Sequence, residues 1–353
     1  MRIIDFHESF KLNGNSFQSK EELLAYAKDF SDALSTFLES WFDKREKLIV
    51  KTSGSTGTPK PIELKKEYMK NSALTTGEFF NLKENTSALL CMPLEYIAGK
   101  MMLVRAMILG WDLDIVNPVS NPLSGNKKKY DFSAMVPLQL QNSLQEIDRI
   151  NTLIVGGGVV SETLKNQIKN IKTKVFATYG MTETITHIAV KKLNNQHRKP
   201  TFYCCLPNVE ISIDNRSCLV INAPKVSDEV VVTNDVVQLV SENEFEWLGR
   251  FDNVINSGGV KLHPEIIERK LAKIINKRFF ITGIPDAYLG EKMILLIEEE
   301  GDSTKEKSIL EKIKLLASIS KYEIPKQVIF AKHFVETETK KIQRKKTLDL
   351  VLK

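Results

Sequence analysis

Nine residues rich in hydroxyl groups and glycine lie between two short apolar runs, Thr52-Ser53-Gly54-Ser55-Thr56-Gly57-Thr58-Pro59-Lys60. The apolar runs at 48–50 and 61–64 predict a strand on each side of a tight loop. The glycines leave backbone amides open to an anion, the hydroxyls add donors, and Lys60 adds a positive charge. The glycine spacing differs from that of the ATPase P-loop. We interpret the stretch as a phosphate-binding loop; a flexible Ser/Thr/Gly linker fits the composition but not the flanking strands.

Strands and helices alternate through the first half of the chain, which predicts an α/β fold with a largely parallel sheet covered by helices. Predicted strands cover 88–92, 113–116, 152–155 and 174–178, and predicted helices cover 19–41, 65–80, 100–109, 136–144 and 162–170. Short β runs separated by turn residues follow from 202 to 247 and predict a β-rich subdomain. We place a domain boundary after Gly249, with a large α/β domain over 1–249 and a small α+β cap domain over 250–353.

The loop after the strand at 174–178 combines an aromatic ring, hydroxyl groups and a carboxylate, in the order Thr178-Tyr179-Gly180-Met181-Thr182-Glu183-Thr184. Open α/β sheets bind ligands at the carboxyl ends of their strands. An aromatic ring can stack on a base, a hydroxyl can hold a phosphate oxygen, and a glutamate can bind hydrated Mg²⁺. Gly156-Gly157-Gly158 also closes a strand, where the backbone can approach a flat ligand. Taken alone, each segment is equally typical of an ordinary turn.

Two polar residues later in the chain suit a ribose. The carboxylate of Asp235 accepts hydrogen bonds from a diol, and Arg250 offers a fork of donors to the same sugar. Gly258-Gly259 predicts a mobile turn between strands, and a basic segment over 337–344 lies near the C-terminus. Aspartates, glycine turns and basic tails commonly lie on the protein surface without a function. These features therefore indicate a binding site only when they are taken together.

The composition narrows the class of protein. The 353 residues are 42 % apolar and 27 % charged, with a net charge of +6 from lysines spread along the chain. This favours anionic small molecules as partners over nucleic acid. The sequence has no apolar run of 18 residues, no signal-peptide pattern and no metal spacing among its four cysteines, so we expect a cytoplasmic protein that does not cross a membrane. The sequence leaves open whether the protein forms a homo-oligomer.

Four segments, in chain order, resemble the adenylate-forming superfamily of acyl-CoA synthetases, peptide-synthetase adenylation domains and luciferases, over almost the whole chain from Leu48 to Arg344. They are the loop 52–60, the loop 178–184, the stretch 233–268 and the basic segment 337–344. The resemblance implies that ATP phosphates bind to Thr52, Ser53, Gly54, Ser55, Thr56, Gly57 and Lys60. It implies an adenine and ribose site made of Gly157, Gly158, Tyr179, Gly180, Asp235 and Arg250. It further implies catalytic Thr182, Glu183 and Lys341, with Glu183 also the magnesium ligand, a hinge at Asp252 and a CoA tunnel at Gly258 and Gly259.

The reaction that the resemblance implies joins a carboxylic acid to CoA through an acyl-adenylate, with ATP and Mg²⁺. Within the superfamily, the chain most resembles the o-succinylbenzoate–CoA ligases of menaquinone biosynthesis, in its compactness, in the segment 135–140 and in the loop 179–184. The alternatives are a ligase for another small acid, an amino-acid-activating domain, and a nucleotide-binding module that has lost catalysis. Retention of Glu183 and Lys341 argues against the last.

Departures from the family pattern bear on the site. Tyr96 replaces a gate histidine, Asn256 stands where many members have lysine, and Lys261 stands where close relatives have asparagine. Thr339-Lys340-Lys341-Ile342-Gln343-Arg344 resembles the family's usual Ser-Gly-Lys-Ile-x-Arg, which places the catalytic role at Lys341. Lys340, which replaces the glycine, is the alternative. Only 51 residues precede the phosphate loop, fewer than in most members, so we expect a shortened N-terminal subdomain.

Overall fold

The computed structural model describes residues 6–51, 61–195, 201–337 and 341–352 and has a mixed α/β architecture. The helices are α1 (Lys20–Phe30), α2 (Asp32–Phe42), α3 (Lys66–Phe80), α4 (Ile97–Leu109), α5 (Pro137–Asn142), α6 (Glu162–Gln167), α7 (Pro264–Leu271), α8 (Ser303–Lys314) and α9 (Arg344–Val351). The strands are β1 (Lys11–Leu12), β2 (Asn15–Ser16), β3 (Lys47–Lys51), β4 (Pro61–Lys65), β5 (Ser87–Leu90), β6 (Asp112–Ile115), β7 (Tyr130–Met135), β8 (Ile150–Val155), β9 (Lys174–Gly180), β10 (His187–Lys192), β11 (Tyr203–Cys205), β12 (Glu210–Ile213), β13 (Cys218–Asn222), β14 (Val231–Leu239), β15 (Glu244–Arg250), β16 (Ile255–Ser257), β17 (Val260–Leu262), β18 (Phe279–Asp286), β19 (Gly290–Glu298) and β20 (Gln327–Ala331). Of the described helices, none has the length and apolar character that a membrane crossing needs.

One large sheet carries most of the strands, in the order β12-β13-β14-β15-β11-β10-β9-β8-β7-β5-β6-β1-β2. The strands from β5 to β9 pair in parallel and confirm the predicted parallel sheet. From β10 to β15 the pairing is antiparallel, so the β-rich segment extends this same sheet. The carboxyl ends of β7, β8 and β9 consequently lie side by side.

Both faces of the parallel part are covered. Successive residues of a strand point to opposite faces, and Ala88 and Leu90 pack in one core whereas Leu89 and Cys91 pack in the other. The sequence analysis missed the central strand β7 because Asp131 and Ser133 interrupt its apolar pattern. The Ser133 hydroxyl donates to the Leu89 carbonyl at 2.9 Å, which makes this buried polar side chain compatible with a central strand.

The single helix predicted over 19–41 is wrong, because two helices, α1 and α2, occupy this range. Ser31 between them is extended, with φ −169° and ψ 147°, and its hydroxyl accepts a hydrogen bond from the Leu34 amide at 3.3 Å. A serine that caps a helix in this way begins a new helix instead of continuing the old one. The apolar spacing hid the break because both helices bury the same kind of stripe.

The C-terminal part builds a second sheet in the order β17-β16-β19-β18, with β20 parallel to β19. Its two faces have separate apolar cores, with Ile281 and Leu295 on one side and Phe280 and Leu296 on the other. Strand β15 ends at Arg250 in the large sheet and β16 begins at Ile255, so residues 251–254 link the two sheets. Whether a domain boundary at 249/250 separates independently moving bodies stays a prediction.

Candidate active site

Three loops meet at the carboxyl ends of β7, β8 and β9. A side chain at Gly156 would lie 2.6 Å from the Thr178 hydroxyl, so the loop after β8 approaches β9 as closely as glycine permits. Gly157 has φ +77°, and the space beside Gly158 is bounded by Pro137 at the start of α5. The backbone there is open to a flat ligand, which is the environment that we predicted for Gly157 and Gly158.

The turn that carries Thr182 and Glu183 is built with strain. A methyl group on Gly180 would collide with the Thr186 carbonyl and the His187 backbone of the neighbouring strand. After a 3₁₀ turn over Thr182–Thr184, Ile185 adopts φ +65° and ψ −64°, and the Thr186 amide donates to the Thr184 carbonyl at 2.7 Å. This is a γ-turn, which is rare for a β-branched residue and costs about 1–3 kcal/mol. Such strain is typical of functional loops.

Glu183 is exposed and forms no hydrogen bond or ion pair with the described part of the chain. Mg²⁺ in nucleotide sites is commonly held by one or two carboxylates together with phosphates and water. A free carboxylate on a rigid turn fits that role. No cluster of three or more His, Cys, Asp or Glu side chains that could hold a metal by itself occurs among the described residues.

Asp235 and Arg250 lie directly opposite each other on β14 and β15. The buried Asp235 carboxylate accepts hydrogen bonds from the Tyr179 hydroxyl at 2.8 Å and the Trp247 indole at 3.0 Å, and Arg250 Nη1 lies 3.7 Å from it. Burial, followed by the charge of Asp235, raises the pKa of Tyr179, so the phenol stays protonated as a donor. The structure thus brings Tyr179, Asp235 and Arg250 together. Trp247 was missed, although its place on β15 three residues before Arg250 is visible in the sequence.

The predicted hinge residue is close to this group. The Asp252 carboxylate accepts from Arg250 Nη2 at 3.3 Å and from Asn234 Nδ2 at 3.4 Å. Asp252 is the middle residue of a 3₁₀ turn, Phe251–Asn253, in the link between the sheets. Its position fits a hinge, and its motion stays a prediction.

A buried cation lies behind the strained turn. Arg105 on α4 is only 2 % exposed, and its guanidinium donates to the hydroxyls of Thr76 at 3.3 Å and Thr186 at 3.2 Å. It has no carboxylate partner among the described residues, and burial lowers its pKa to about 10, which leaves it charged at neutral pH. Ser72 and the buried His187 complete the group, and burial lowers the pKa of His187 so that it is neutral. Sequence reasoning missed Arg105 because its neighbours on α4 are all apolar.

Several predicted residues lie outside the described residues. They are Thr52, Ser53, Gly54, Ser55, Thr56, Gly57, Lys60 and Lys340. The strands that flank the phosphate loop are confirmed as the antiparallel ribbon β3–β4, and its terminal residues Lys51 and Pro61 are paired. The two residues that border the loop are therefore adjacent on paired strands.

Lys341 lies on one arm of a hairpin. The Thr337 amide donates to the Lys341 carbonyl at 2.9 Å, and the Lys341 amide donates to the Thr337 hydroxyl at 3.1 Å. The ammonium group is half-buried and makes no ion pair with the described residues, and burial lowers its pKa. A lysine without a protein anion is available to a ligand anion.

Gly258 and Gly259 form an exposed turn between β16 and β17, with φ +59° and +80°. Two successive positive φ values define a tight hairpin turn that glycine favours. Asn256 and Lys261, two of the departures from the family pattern, lie directly opposite each other on this hairpin.

Comparison with known proteins agrees with this site. Residues 19–237 match the family model of the AMP-binding enzymes. The crystal structure of an acyl-CoA synthetase (AMP-forming)/AMP-acid ligase II-like protein from Dyadobacter fermentans is 38 % identical, with a TM-score of 0.61, and the alignment covers 91 % of this chain and 95 % of that one. The chain belongs to the AMP-binding enzyme family. Within it, the protein is an AMP-forming acid–CoA ligase, as the sequence predicted.

More distant relatives are similar over most of the chain. The 2-succinylbenzoate–CoA ligase of Listeria monocytogenes is 24 % identical over 344 residues, which are 88 % of this chain and 71 % of that protein. The o-succinylbenzoate coenzyme A synthetase of Bacillus subtilis, in complex with ATP and magnesium ion, is 19 % identical with a TM-score of 0.70, covering 94 % of this chain and 82 % of that one. The second likeness confirms the fold.

Proposed function

We propose that the protein ligates an aromatic dicarboxylate of the o-succinylbenzoate type to CoA, at the expense of ATP. A carboxylate oxygen attacks the α-phosphorus of Mg-ATP, the bond to the β-phosphate breaks, and acyl-adenylate and pyrophosphate form. The CoA thiolate then attacks the acyl carbon, and AMP leaves. Phosphoryl transfer of this kind depends mainly on placing anions and stabilising charge.

The observation that carries the proposal is Arg105, a buried guanidinium with no carboxylate partner among the described residues. A substrate with a second carboxylate must find a cation or hydrogen-bond donors at the far end of its pocket. Arg105 carries a buried charge and donates a hydrogen bond to Thr186. Thr186 comes just after the turn that carries Glu183. A carboxylate would pair the guanidinium, whereas the ammonium group of an amino acid would be repelled by it. The names of the relatives fit the same class of acid.

The remaining roles follow from charge and position. Lys60 and the hydroxyls of 52–58 would hold the leaving pyrophosphate, and Glu183 the magnesium, with Thr182 on a phosphate oxygen. Asp235 and Arg250 would hold the ribose and Tyr179 the adenine, while Lys341 neutralises charge between carboxylate and α-phosphate. Gly258 and Gly259 would border the path of the CoA thiol in the second half-reaction.

A substrate panel tests the proposal. The protein is incubated with ATP, Mg²⁺, CoA and o-succinylbenzoate, benzoate or a medium-chain fatty acid, and pyrophosphate and thioester are followed separately. We expect kcat/KM for o-succinylbenzoate to exceed the others by at least about 10²-fold, because a site built to pair a buried polar group rejects analogues that lack it. Comparable turnover of benzoate would refute the substrate class and leave the ligase class intact.

Arg105→Gln removes the buried charge and should reduce the preference for o-succinylbenzoate over benzoate at least about 10-fold. Arg149→Gln is the matched control. Arg149, like Arg105, has no carboxylate partner among the described residues, and it donates to the carbonyl oxygens of Leu123 and Asn126, away from the site. An unchanged preference in Arg105→Gln would contradict the role of Arg105.

A further inference from the structure

Glu265, the second residue of α7, is buried against the end of β15 in the large sheet. Its Oε1 accepts a hydrogen bond of 2.5 Å from Asn253 Nδ2, in the link between the sheets. A methyl group at Gly249 would lie 2.2 Å from its Oε2, so the carboxylate packs directly against the backbone of β15. One carboxylate therefore contacts the last strand of the large sheet and the link that follows it.

The same contact reaches the hairpin that carries Lys341. Arg344 binds Glu268 of α7 through two hydrogen bonds, of 2.7 and 2.8 Å, and donates to the Ile281 carbonyl at 2.9 Å. Its Nη2 lies 3.7 Å from Glu265 Oε1. Arg344 follows Lys341 by three residues. Paired, two-point bonds of this kind fix geometry, so α7 and the base of the hairpin move together.

The contact between α7 and β15 is polar and incompletely paired. His263 Nδ1, Glu265 Oε2 and Arg269 Nε are buried without a hydrogen-bond partner in the described ranges. Burial of unpaired polar atoms weakens a contact. Interfaces that open during function share this polar character, whereas permanent ones are mostly apolar. The contact is therefore suited to release.

The exposed parts of the second sheet indicate which half-reaction this orientation serves. Gly258 and Gly259 are exposed, and a side chain added at Gly259 would meet no atom within 4 Å. Lys341 is half-buried instead. An orientation that leaves the glycine turn in solvent and partly shields the lysine from it fits formation of the acyl-adenylate.

We propose that Glu265 is a positioning residue for adenylation, which ties α7 to Asn253 and the end of β15 and thereby holds the Lys341 hairpin in place. The proposal rests on the proposed two-step reaction. Glu265 touches no substrate and acts through Lys341. Its release allows the second orientation, in which CoA reacts.

The test compares Glu265→Ala and Glu265→Gln with the wild-type chain in each half-reaction separately. Adenylation is measured as pyrophosphate release from ATP and the acid preferred in the substrate panel, and thioester formation is measured from supplied acyl-adenylate and CoA. The rate of a reaction falls steeply when a catalytic group is held loosely. We therefore expect Glu265→Ala to lower kcat of adenylation about 10-fold or more and to leave the rate of thioester formation unchanged or higher. Glu265→Gln keeps an oxygen for Asn253 and should recover most of the rate.

Asn253→Ala removes the same hydrogen bond from the other side and should give the same selective loss, which keeps the test valid if Glu265→Ala folds poorly. Glu246→Ala is the matched control: it removes an ion pair of 3.6 Å with Arg269 at the same helix–strand contact and leaves Asn253 bound. Equal losses in both half-reactions, or no loss in either variant, would overturn the role of Glu265. A wild-type chain that forms no acyl-adenylate from any acid overturns the proposed function instead.

Discussion

Asp235 is held by two donors in the structure, and its carboxylate keeps unused acceptor positions. A carboxylate has about four acceptor positions, and Tyr179 and Trp247 occupy one on each oxygen. The remaining positions suit the two hydroxyls of a ribose. The donors also fix the rotamer of the carboxylate, so little freedom would be lost if a ribose bound there, as proposed.

Lys341→Ala should lower acyl-adenylate formation by about 10²-fold or more and leave thioester formation from supplied acyl-adenylate nearly intact. A single charge placed at the developing negative charge is worth this much in a site shielded from water. Burial lowers the pKa of Lys341, so the ammonium group loses its proton at a lower pH than an exposed lysine, whose pKa is about 10.4. The wild-type adenylation rate should therefore begin to fall below that pH. Initial rates of the two half-reactions against pH measure both effects.

Lys340→Ala is the control for this assignment. If Lys341 is the catalytic residue, Lys340→Ala keeps most of the adenylation rate. A loss confined to Lys340→Ala would move the role by one residue, and equal losses of both half-reactions in Lys341→Ala would refute the division of labour between them.

At the level of elements, the sequence predicted what local patterns encode. Alternating apolar runs gave the parallel strands, and the order of polar loops gave Tyr179, Asp235 and Arg250. Strand β7 was not predicted, because its polar residues interrupt the apolar pattern and form their hydrogen bonds with a neighbouring strand. The break between α1 and α2 was not predicted, because it depends on one capping side chain, that of Ser31. Arg105 was missed because its neighbours on α4 are apolar and because its partners, Thr76 and Thr186, are distant in sequence.

The turn after β9 depends on Gly180. Gly180→Ala should lower the free energy of unfolding by about 1–3 kcal/mol, because the added methyl group forces the β9–β10 pair apart at Thr186 and His187. The shift also moves Thr182 and Glu183, so adenylation should fall. Urea unfolding and pyrophosphate release measure the two effects.

Gly158→Ala is the matched control for that turn, because its methyl group would meet only Pro137 at 3.6 Å, an ordinary contact. Its free energy of unfolding should stay within about 0.5 kcal/mol of wild type. Wild-type stability in Gly180→Ala would show that the turn is more adaptable than the close approach to β10 indicates.

Over the whole molecule, two sheets with separate cores are joined by four residues, 251–254, and by the contact between α7 and β15. The change from short β runs to a smaller α+β pattern after Gly249 predicted a boundary at this link from sequence alone. The α7–β15 contact was beyond sequence reasoning, because it joins a glycine on one sheet to a buried carboxylate on a helix of the other part. A short link and a polar, partly unpaired contact are what a rotation of the two parts would require, and the rotation itself stays a prediction.

Asp252→Pro tests that rotation. Proline fixes φ near about −65°, a value that a 3₁₀ turn uses, and Asp252 is the middle residue of such a turn here. The substitution should therefore retain this orientation and deny the other. We expect adenylation to stay near the wild-type rate, and thioester formation to fall at least about 10-fold because product-forming rotation is blocked. Asp252→Ala is the control: it removes the contacts with Arg250 and Asn234 but keeps φ free, so both half-reactions should persist. Wild-type rates for both half-reactions in Asp252→Pro would place the hinge elsewhere in residues 251–254.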